Sequence, residues 1–373
     1  MGTDLLPPDL AADMAAADRV VHRLLLRRVR VVLHTPYRLS YRTFTEFEPF
    51  LVEARDADGR LGLGEAHISP GSSKETREGG WAFCAELLPG LHGLPVAEAR
   101  RRVLAEAHRS PAAATAIVTA LEMLGEHRAL TVPYTVRHAL LAPVGATEPG
   151  AIEAEVERWI QQGFTTLKVK VGKDVTADLD RVRRIQAQAS GRARLRLDAN
   201  RGFDRAQAIR FATALDPAGI ELFEQPCPTE AWDDNAAVAA VSAVPLMLDE
   251  PICALDDIKR AGGIPGVRFC KIKLKRFSGL GRLTEALDAI RAHGMGAVLG
   301  DGLGADLSGW MEAMAGHGRI HGAGEFNGFM KLETGLLADP IPVDGSVITI
   351  PAGFVPRLDP ASVEARTEDR IES

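Results

Sequence analysis

The stretch 194–200, RLRLDAN, read together with 220–226, IELFEQP, and 246–251, LMLDEP, decides the fold. Each is a short apolar run ending on a carboxylate: Asp198, Glu224 and Asp249. Working outward, the same design gives Lys170 at the end of 166–170, TLKVK, then Lys273 within 271–280, KIKLKRFSGL, followed by Asp301 and Glu325. Successive members of this series stand 24 to 28 positions apart. A strand, a loop and a helix together need about that length, so the chain reads as repeated βα units, each presenting a charged group at the carboxyl end of its strand. Barrel enzymes build their active sites at that end.

Eight strands are expected, near Tyr134–Leu141, Thr166–Val171, Arg194–Asp198, Glu221–Glu224, Leu246–Asp249, Phe269–Lys273, Ala297–Gly300 and Gly322–Glu325. Strict alternation of strand and helix over 131–340 signals a parallel sheet, most economically a closed barrel, although an open doubly wound sheet shares the local pattern. Residues 1–130 read as an α+β domain. Its hairpin signal is Asp56-Ala57-Asp58-Gly59 between FLVEAR and LGLGEA, and helices are expected over Lys74–Leu88, Val96–His108 and Pro111–Leu124. The first 20 or so residues, rich in Ala, Asp and Pro, read as an arm. The tail, 341–373, reads as strand and turn returning to the first domain.

The 373 residues are 46% hydrophobic and 25% charged, with a formal charge of −6, a globular composition that argues against a nucleic-acid-binding surface. Four scattered cysteines, Cys84, Cys227, Cys253 and Cys270, make no zinc spacing and read as reduced thiols. With no signal-peptide pattern and no apolar run of membrane-spanning length, a cytoplasmic protein without a membrane partner is expected.

Three carboxylates at the ends of three consecutive strands would repel one another unless a cation lay between them. Oxygen donors with no histidine or cysteine among them favour Mg²⁺. Lys168 and Lys170 alternate with Leu167 and Val169 and so share one face, as do Lys271, Lys273 and Lys275, with Lys273 nearest the expected strand end. Strands two and six lie opposite each other in an eight-stranded barrel, which sets an ammonium group on each side of the carboxylates. An ammonium beside a cation and another ammonium is pushed towards its neutral form and becomes a usable base. The arrangement suits a small-molecule carboxylate whose adjacent carbon loses a proton to one lysine while the metal stabilises the enediolate.

The combination KVK, LDAN, FEQP, LDEP and KIKLKRFSGL resembles the enolase superfamily, in its muconate lactonizing enzyme subgroup of the mandelate racemase/muconate lactonizing enzyme family. The resemblance implies an α/β fold, a modified TIM barrel (β/α)7β with an amino-terminal α+β capping domain completed by the carboxyl-terminal tail. It implies Lys170 as the strand-two base, Lys168 as its partner, Lys273 as the strand-six acid or base, and Asp198, Glu224 and Asp249 as Mg²⁺ ligands. Asn200 and Glu250 take supporting positions behind those ligands. Lys271 and Lys275 leave the strand-six register open. On strand eight, Glu325 and Asn327 stand where dipeptide epimerases carry Asp-x-Asp, so a substrate amino group is compatible with this chain. Asp301, Tyr37, Tyr41 and His67 complete the substrate-binding candidates, the last three in loops that resemble those closing over substrate. A homo-oligomer is also compatible with the resemblance.

These readings lead to a Mg²⁺-dependent isomerase that racemises or epimerises an amino-acid derivative. The same partial reaction also serves a cycloisomerase, or a lyase dehydrating a hydroxylated amino or imino acid such as a hydroxyproline. From a different class, a Schiff-base aldolase would use the strand-six lysine as nucleophile, and a non-catalytic barrel would only bind metal and acid.

Overall fold

The computed structural model describes residues 13–38, 42–70 and 73–373, so Tyr41 and the first twelve residues of the expected arm lie outside the described residues. At its centre is a parallel sheet of seven strands: β1 (Ala142–Val144), β2 (Thr166–Lys170), β3 (Arg194–Asp198), β4 (Ile220–Glu224), β5 (Leu246–Leu248), β6 (Val267–Ile272) and β7 (Gly296–Leu299). Each strand pairs with the next in sequence. Helices fill the crossovers and begin on short polar side chains where these are available. Asp174 accepts from Ala177 N at 2.8 Å, and Asp204 and Gln207 cap each other reciprocally.

Period-2 alternation sorts the strand side chains into two layers. Leu197, Phe223, Leu248, Cys270 and Ile272 face the helices and join the large outer core. Leu222, Met247, Phe269 and Val298 fill the barrel floor as a separate cluster. Above the floor the inward positions turn charged.

Two strand expectations are corrected. The first strand was expected at Tyr134–Leu141, but Val136–Ala139 pairs antiparallel with Val347–Ile350, and the barrel strand is the shorter β1 that follows. The eighth position is filled by irregular chain rather than a ladder. Gly324 N donates to Ala139 O at 2.9 Å, Leu141 N to Gly324 O at 3.3 Å, and Glu325 N to Leu299 O at 2.8 Å, so the ring closes through a few bonds on each side.

The amino-terminal region forms a four-stranded antiparallel sheet in the order Thr367–Glu372, Arg23–Val29, Phe50–Arg55, Leu61–Ala66. The tail therefore supplies its edge strand. The expected hairpin joins the last two strands, with Gly59 at a φ of 81°. Helix Pro111–Leu124 lies directly on Leu61–Ala66 because two glycines permit the approach: a Cβ at Gly62 would meet Ala120 O at 2.1 Å, and one at Gly64 would meet Ala116 O at 2.0 Å.

Two carboxylates pin this region to the barrel. Glu65 caps helix Asp306–Gly316, accepting from Ala305 N at 2.6 Å and Leu307 N at 3.0 Å. Glu122 caps helix Leu280–Ala292, accepting from Leu280 N at 2.6 Å and Gly281 N at 3.0 Å. Among the described residues, no helix is long and apolar enough to cross a membrane.

Candidate active site

Strand register sets the site. Lys170 pairs with Asp198 and Asp198 pairs with Glu224, so three charged residues end neighbouring strands in one row. Immediately after the row the chain turns away through left-handed backbone at Asn200 (φ 44°), Arg201 (φ 66°) and Gln225 (φ 37°). The first of these turns lets Asn200 N donate to Asp198 Oδ1 at 2.9 Å. Gln225 is fully buried. Its Oε1 accepts from Asp249 N at 2.9 Å and its Nε2 donates to Cys227 O at 2.9 Å, which fixes the rim of β4 to that of β5. Gly300 (φ 98°) lets the end of β7 pass the eighth segment, where a Cβ would meet Glu325 C at 2.5 Å.

The cations divide among these carboxylates. Lys168 Nζ lies 2.9 Å from Asp198 Oδ2, 2.8 Å from Glu224 Oε2 and 2.9 Å from Glu325 Oε2. Lys170 Nζ donates to Asp198 Oδ2 and Asn200 Oδ1, each at 2.6 Å, and is the more exposed of the two. Across the ring, β6 ends at Ile272. Lys271 points inward and pairs with Glu325, while Lys273 at the rim donates to Asp249 Oδ2 at 2.9 Å. Lys275 is not on the strand at all but on the helical turn Leu274–Phe277, where it pairs with Asp301 at 2.7 Å. The rim position opposite Lys170 therefore belongs to Lys273.

Neighbouring charges decide protonation here. Burial works to lower the Lys168 ammonium, but Asp198, Glu224 and Glu325 carry it well above its ordinary value. Burial likewise opposes the charged form of Lys273, and Asp249 leaves it raised. Lys271 is driven the other way, lowered by burial and by Lys168, and burial lowers Lys331 to about 8. Contact with carboxylates explains the other two. Burial raises Glu224 and the adjacent Asp198 charge adds to it, whereas Asp198 and Asp249 are held below the ordinary range by their lysines despite burial.

The donor set suits a divalent cation in its chemistry. Asp198, Glu224 and Asp249 offer only oxygen, they are at most 3% exposed, and Glu224 Oε1 is buried without a hydrogen-bond partner. Glu250 Oε2 is also buried without a partner. The three carboxylates are not drawn into one tight group. Asp198 and Glu224 share Lys168, while Asp249 is taken by Lys273 and by Arg276, whose Nη2 lies 3.0 Å from Asp249 Oδ1. Among the described residues the trio whose ligand atoms all lie within 4.8 Å of one another is elsewhere: Asp13, Glu122 and His127.

A cavity of about 60 Å³ opens over the row. Of the expected residues, Tyr37, Lys168, Lys170, Asp198, Asn200, Glu224, Glu250, Lys273, Asp301 and Glu325 line it. Asp249 stands behind Lys273. Asn327 is turned away, its Nδ2 donating to Leu141 O at 3.1 Å. His67 packs its ring on Phe44 and Phe47, at centroid distances of 5.9 and 5.2 Å, and contributes to this region through its carbonyl, which accepts from Lys275 at 3.5 Å.

Sequence reasoning passed over Arg201, which pairs with Glu250 at 3.2 Å, as well as Arg276 and Gln225. Arg201 immediately follows LDAN, while Gln225 and Arg276 lie inside FEQP and KIKLKRFSGL, and that placement was the available signal. It also passed over Lys331, whose Nζ lies 4.5 Å from the Tyr37 ring centroid and donates to Gly302 O at 2.9 Å. Nothing local in the sequence marks that lysine.

Residues 151–354 match the family described as Enolase C-terminal domain-like. The chain belongs to the enolase superfamily. Within it the relatives place the chain in the mandelate racemase/muconate lactonizing enzyme group, and it is an enzyme. The L-Lys-D/L-Arg epimerase of Methylococcus capsulatus is 31% identical over 267 residues, covering 66% of this chain and 73% of that protein. An o-succinylbenzoate synthase of Geobacillus kaustophilus is 29% identical over 304 residues, covering 76% and 79%. In fold, a dipeptide epimerase from Cytophaga hutchinsonii, solved with Mg and the dipeptide D-Ala-L-Val, superposes with a TM-score of 0.83 at 20% identity over 95% of this chain and 99% of its own. An enolase-superfamily barrel thus carries the row of Lys170, Asp198, Glu224 and Lys273 at its carboxyl rim.

Proposed function

We propose that this enzyme is a Mg²⁺-dependent isomerase that removes and returns the proton on the carbon adjacent to a substrate carboxylate, racemising or epimerising an amino-acid derivative. The observation that carries the reading is the placement of two rim lysines, Lys170 after β2 and Lys273 after β6, on opposite sides of a cavity whose floor is carboxylate. A carbon held between them loses its proton to one ammonium-forming nitrogen and receives it from the other, which inverts the centre. Asp198 and Asn200 hold Lys170 Nζ by two short hydrogen bonds, and Asp249 holds Lys273 Nζ. Each proton carrier is therefore aimed before substrate arrives.

Asp198, Glu224 and Asp249 would hold the metal, which when bound supplies positive charge for the carboxylate oxygens as the neighbouring carbon becomes electron-rich. Lys168, between Asp198, Glu224 and Glu325, keeps those carboxylates in place. Arg276 steadies Asp249, and Arg201 steadies Glu250. The cap, residues 1–130 completed by the tail strand Thr367–Glu372, stands over the mouth of the 131–340 barrel, and Tyr37 is its contribution to the cavity. Relatives that epimerise amino-acid derivatives support the reading.

The test is NMR in D₂O with Mg²⁺ and a panel of dipeptides and N-modified amino acids. Deuterium entering an unchanged skeleton is expected, and it should disappear in Lys170→Ala or Lys273→Ala, or with EDTA. Loss of a hydroxyl would assign dehydration instead. Exchange that persists in both lysine variants overturns the assignment.

A further inference from the structure

Beside the cavity stands a lysine that the proton transfer does not use. Lys331 Nζ donates to Gly302 O at 2.9 Å and to Asn327 O at 3.3 Å, and it lies 4.5 Å from the centroid of the Tyr37 ring. Among the described residues no carboxylate pairs with it: Asp301 is taken by Lys275, and Glu325 by Lys168 and Lys271. With a pKa lowered by burial only to about 8, Lys331 is still an ammonium at neutral pH. The group that meets this charge is the face of Tyr37, an aromatic surface that attracts cations.

Tyr37 in turn is the residue through which the cap reaches the cavity. Its hydroxyl stands over the loop after β7: a Cβ at Gly302 (φ 71°) would come within 3.1 Å of Tyr37 Oη and 3.4 Å of Lys331 Nζ. Gly302 follows Asp301, which lines the same cavity. Among the described residues the hydroxyl makes no hydrogen bond, so its donor is open to a substrate oxygen.

Holding the Tyr37 strand, Val31–Arg38, does not need the ammonium. That strand is tied to the segment carrying Lys331 by other contacts: Leu33 bridges to Leu332, Glu333 N donates to Val32 O at 2.9 Å, and His34 Nε2 lies 3.0 Å from Met330 O. A partly desolvated cation on the ring face adds what those contacts do not. It draws electron density from the phenol and strengthens the hydrogen bond that the O–H gives.

We propose that Lys331 is a positioning residue for the isomerisation, acting through Tyr37, whose hydroxyl it makes a stronger hydrogen-bond donor to a substrate oxygen beside the reacting carbon. The inference rests on the proton-transfer reading above and adds to it a donor from the cap. Such a donor tightens as negative charge develops on the oxygen, so it acts on kcat more than on KM.

The test follows deuterium exchange in D₂O on the full chain with Mg²⁺, over a panel of dipeptides and N-acetyl amino acids. It is paired with tyrosine labelled with ¹³C at Cζ, which reports only Tyr37, Tyr41 and Tyr134. Lys331→Met is expected to lower kcat about tenfold while KM changes by less than about twofold, and Lys331→Arg, which keeps a cation for the ring, to restore most of the loss. Tyr37→Phe should lower kcat by the same factor, and adding Lys331→Met to it should lower kcat no further. In the labelled chain, the resonance missing from Tyr37→Phe should move in Lys331→Met and hold its place in Lys331→Arg. Unchanged kcat in Lys331→Met, an effect that persists in the Tyr37→Phe background, or a folded Lys331→Arg that rescues nothing overturns the inference and leaves the proton-transfer reading standing. Exchange with no compound in the unsubstituted chain removes both. Circular dichroism separates loss of fold from loss of rate, and should Lys331→Met not fold, undiminished kcat in Tyr37→Phe overturns the inference by itself.

Discussion

Two buried charge clusters in this protein look alike on paper and behave differently. One joins the cap to the barrel: Arg100 lies between Asp13, at 2.8 and 2.9 Å, and Glu122, at 2.7 Å, while His127 contacts Asp13 at 3.1 Å. The other is the row of Asp198, Glu224 and Asp249 with its lysines. Each contains three metal-competent groups, and the joint packs its trio the more tightly. Yet in the joint the Glu122 carboxylate accepts from Arg100 and from two backbone amides at a helix start, so its charge is spent. In the row, Glu224 Oε1, Glu325 Oε1 and Glu250 Oε2 are buried without a hydrogen-bond partner. Proximity of ligands is therefore a poorer guide to a working site than unspent hydrogen-bonding capacity gathered around one cavity.

Removing a member of each cluster should have opposite signatures. Lys170→Ala is expected to lower α-proton exchange by roughly 10²–10⁴-fold, the usual range for a positioned acid or base, with stability nearly unchanged because Lys170 is the more exposed lysine. Chemical denaturation alongside the exchange assay checks both halves. If exchange survives and stability falls, the row is the structural cluster and the contrast fails.

Arg100→Met should do the reverse. It strands Glu122, which is fully buried, and breaking such a pair costs about 3–5 kcal/mol. A drop in denaturation midpoint, with kcat of the folded enzyme little altered, is the expected result. Magnesium offers a third contrast: at about 100 times its Kd it should stabilise the fold by about 2.7 kcal/mol. That gain should vanish in Glu224→Ala and persist in Asp13→Asn, as read by thermal melting with and without the ion.

Much of the row was legible in the sequence because period-2 alternation and a regular βα step both act locally. Lys170, Asp198 and Glu224 end their strands and Lys273 directly follows β6, and the hairpin at Gly59 follows from its turn residues. What escaped depends on contacts between distant segments. The first strand was misplaced because Val136–Ala139 and Ala142–Val144 are both short and stand two residues apart, and only pairing with Val347–Ile350 or with β2 distinguishes them. The direction taken by Arg201 and Arg276 depends on left-handed turns and a helical turn after the strands, and the approach of Lys331 to Tyr37 spans almost the whole chain. Asn327 followed a motif position, but the irregular eighth segment turns it towards Leu141.

His67 provides the finest test of the contrast, because it is an orphan outside the row. Its Nε2 is buried without a partner, its Nδ1 accepts from Glu48 N at 3.3 Å, and its ring sits among phenylalanines. Burial lowers its pKa from 6.5 to about 3, with Lys275 adding to the effect. The unfolded chain then binds a proton near pH 6.5 that the folded chain refuses, so stability is full above pH 6.5 and declines as pH falls towards 3. The slope from one such group is at most about 1.4 kcal/mol per pH unit. His67→Phe keeps an aromatic ring in the pocket and removes the titration, and is expected to flatten the melting-temperature profile between pH 6.5 and 5 while leaving exchange in place. If exchange is lost instead, the unpartnered nitrogen serves the substrate. Unspent hydrogen bonding would then mark function in the cap as it does in the barrel, rather than only where the orphaned groups face a shared cavity.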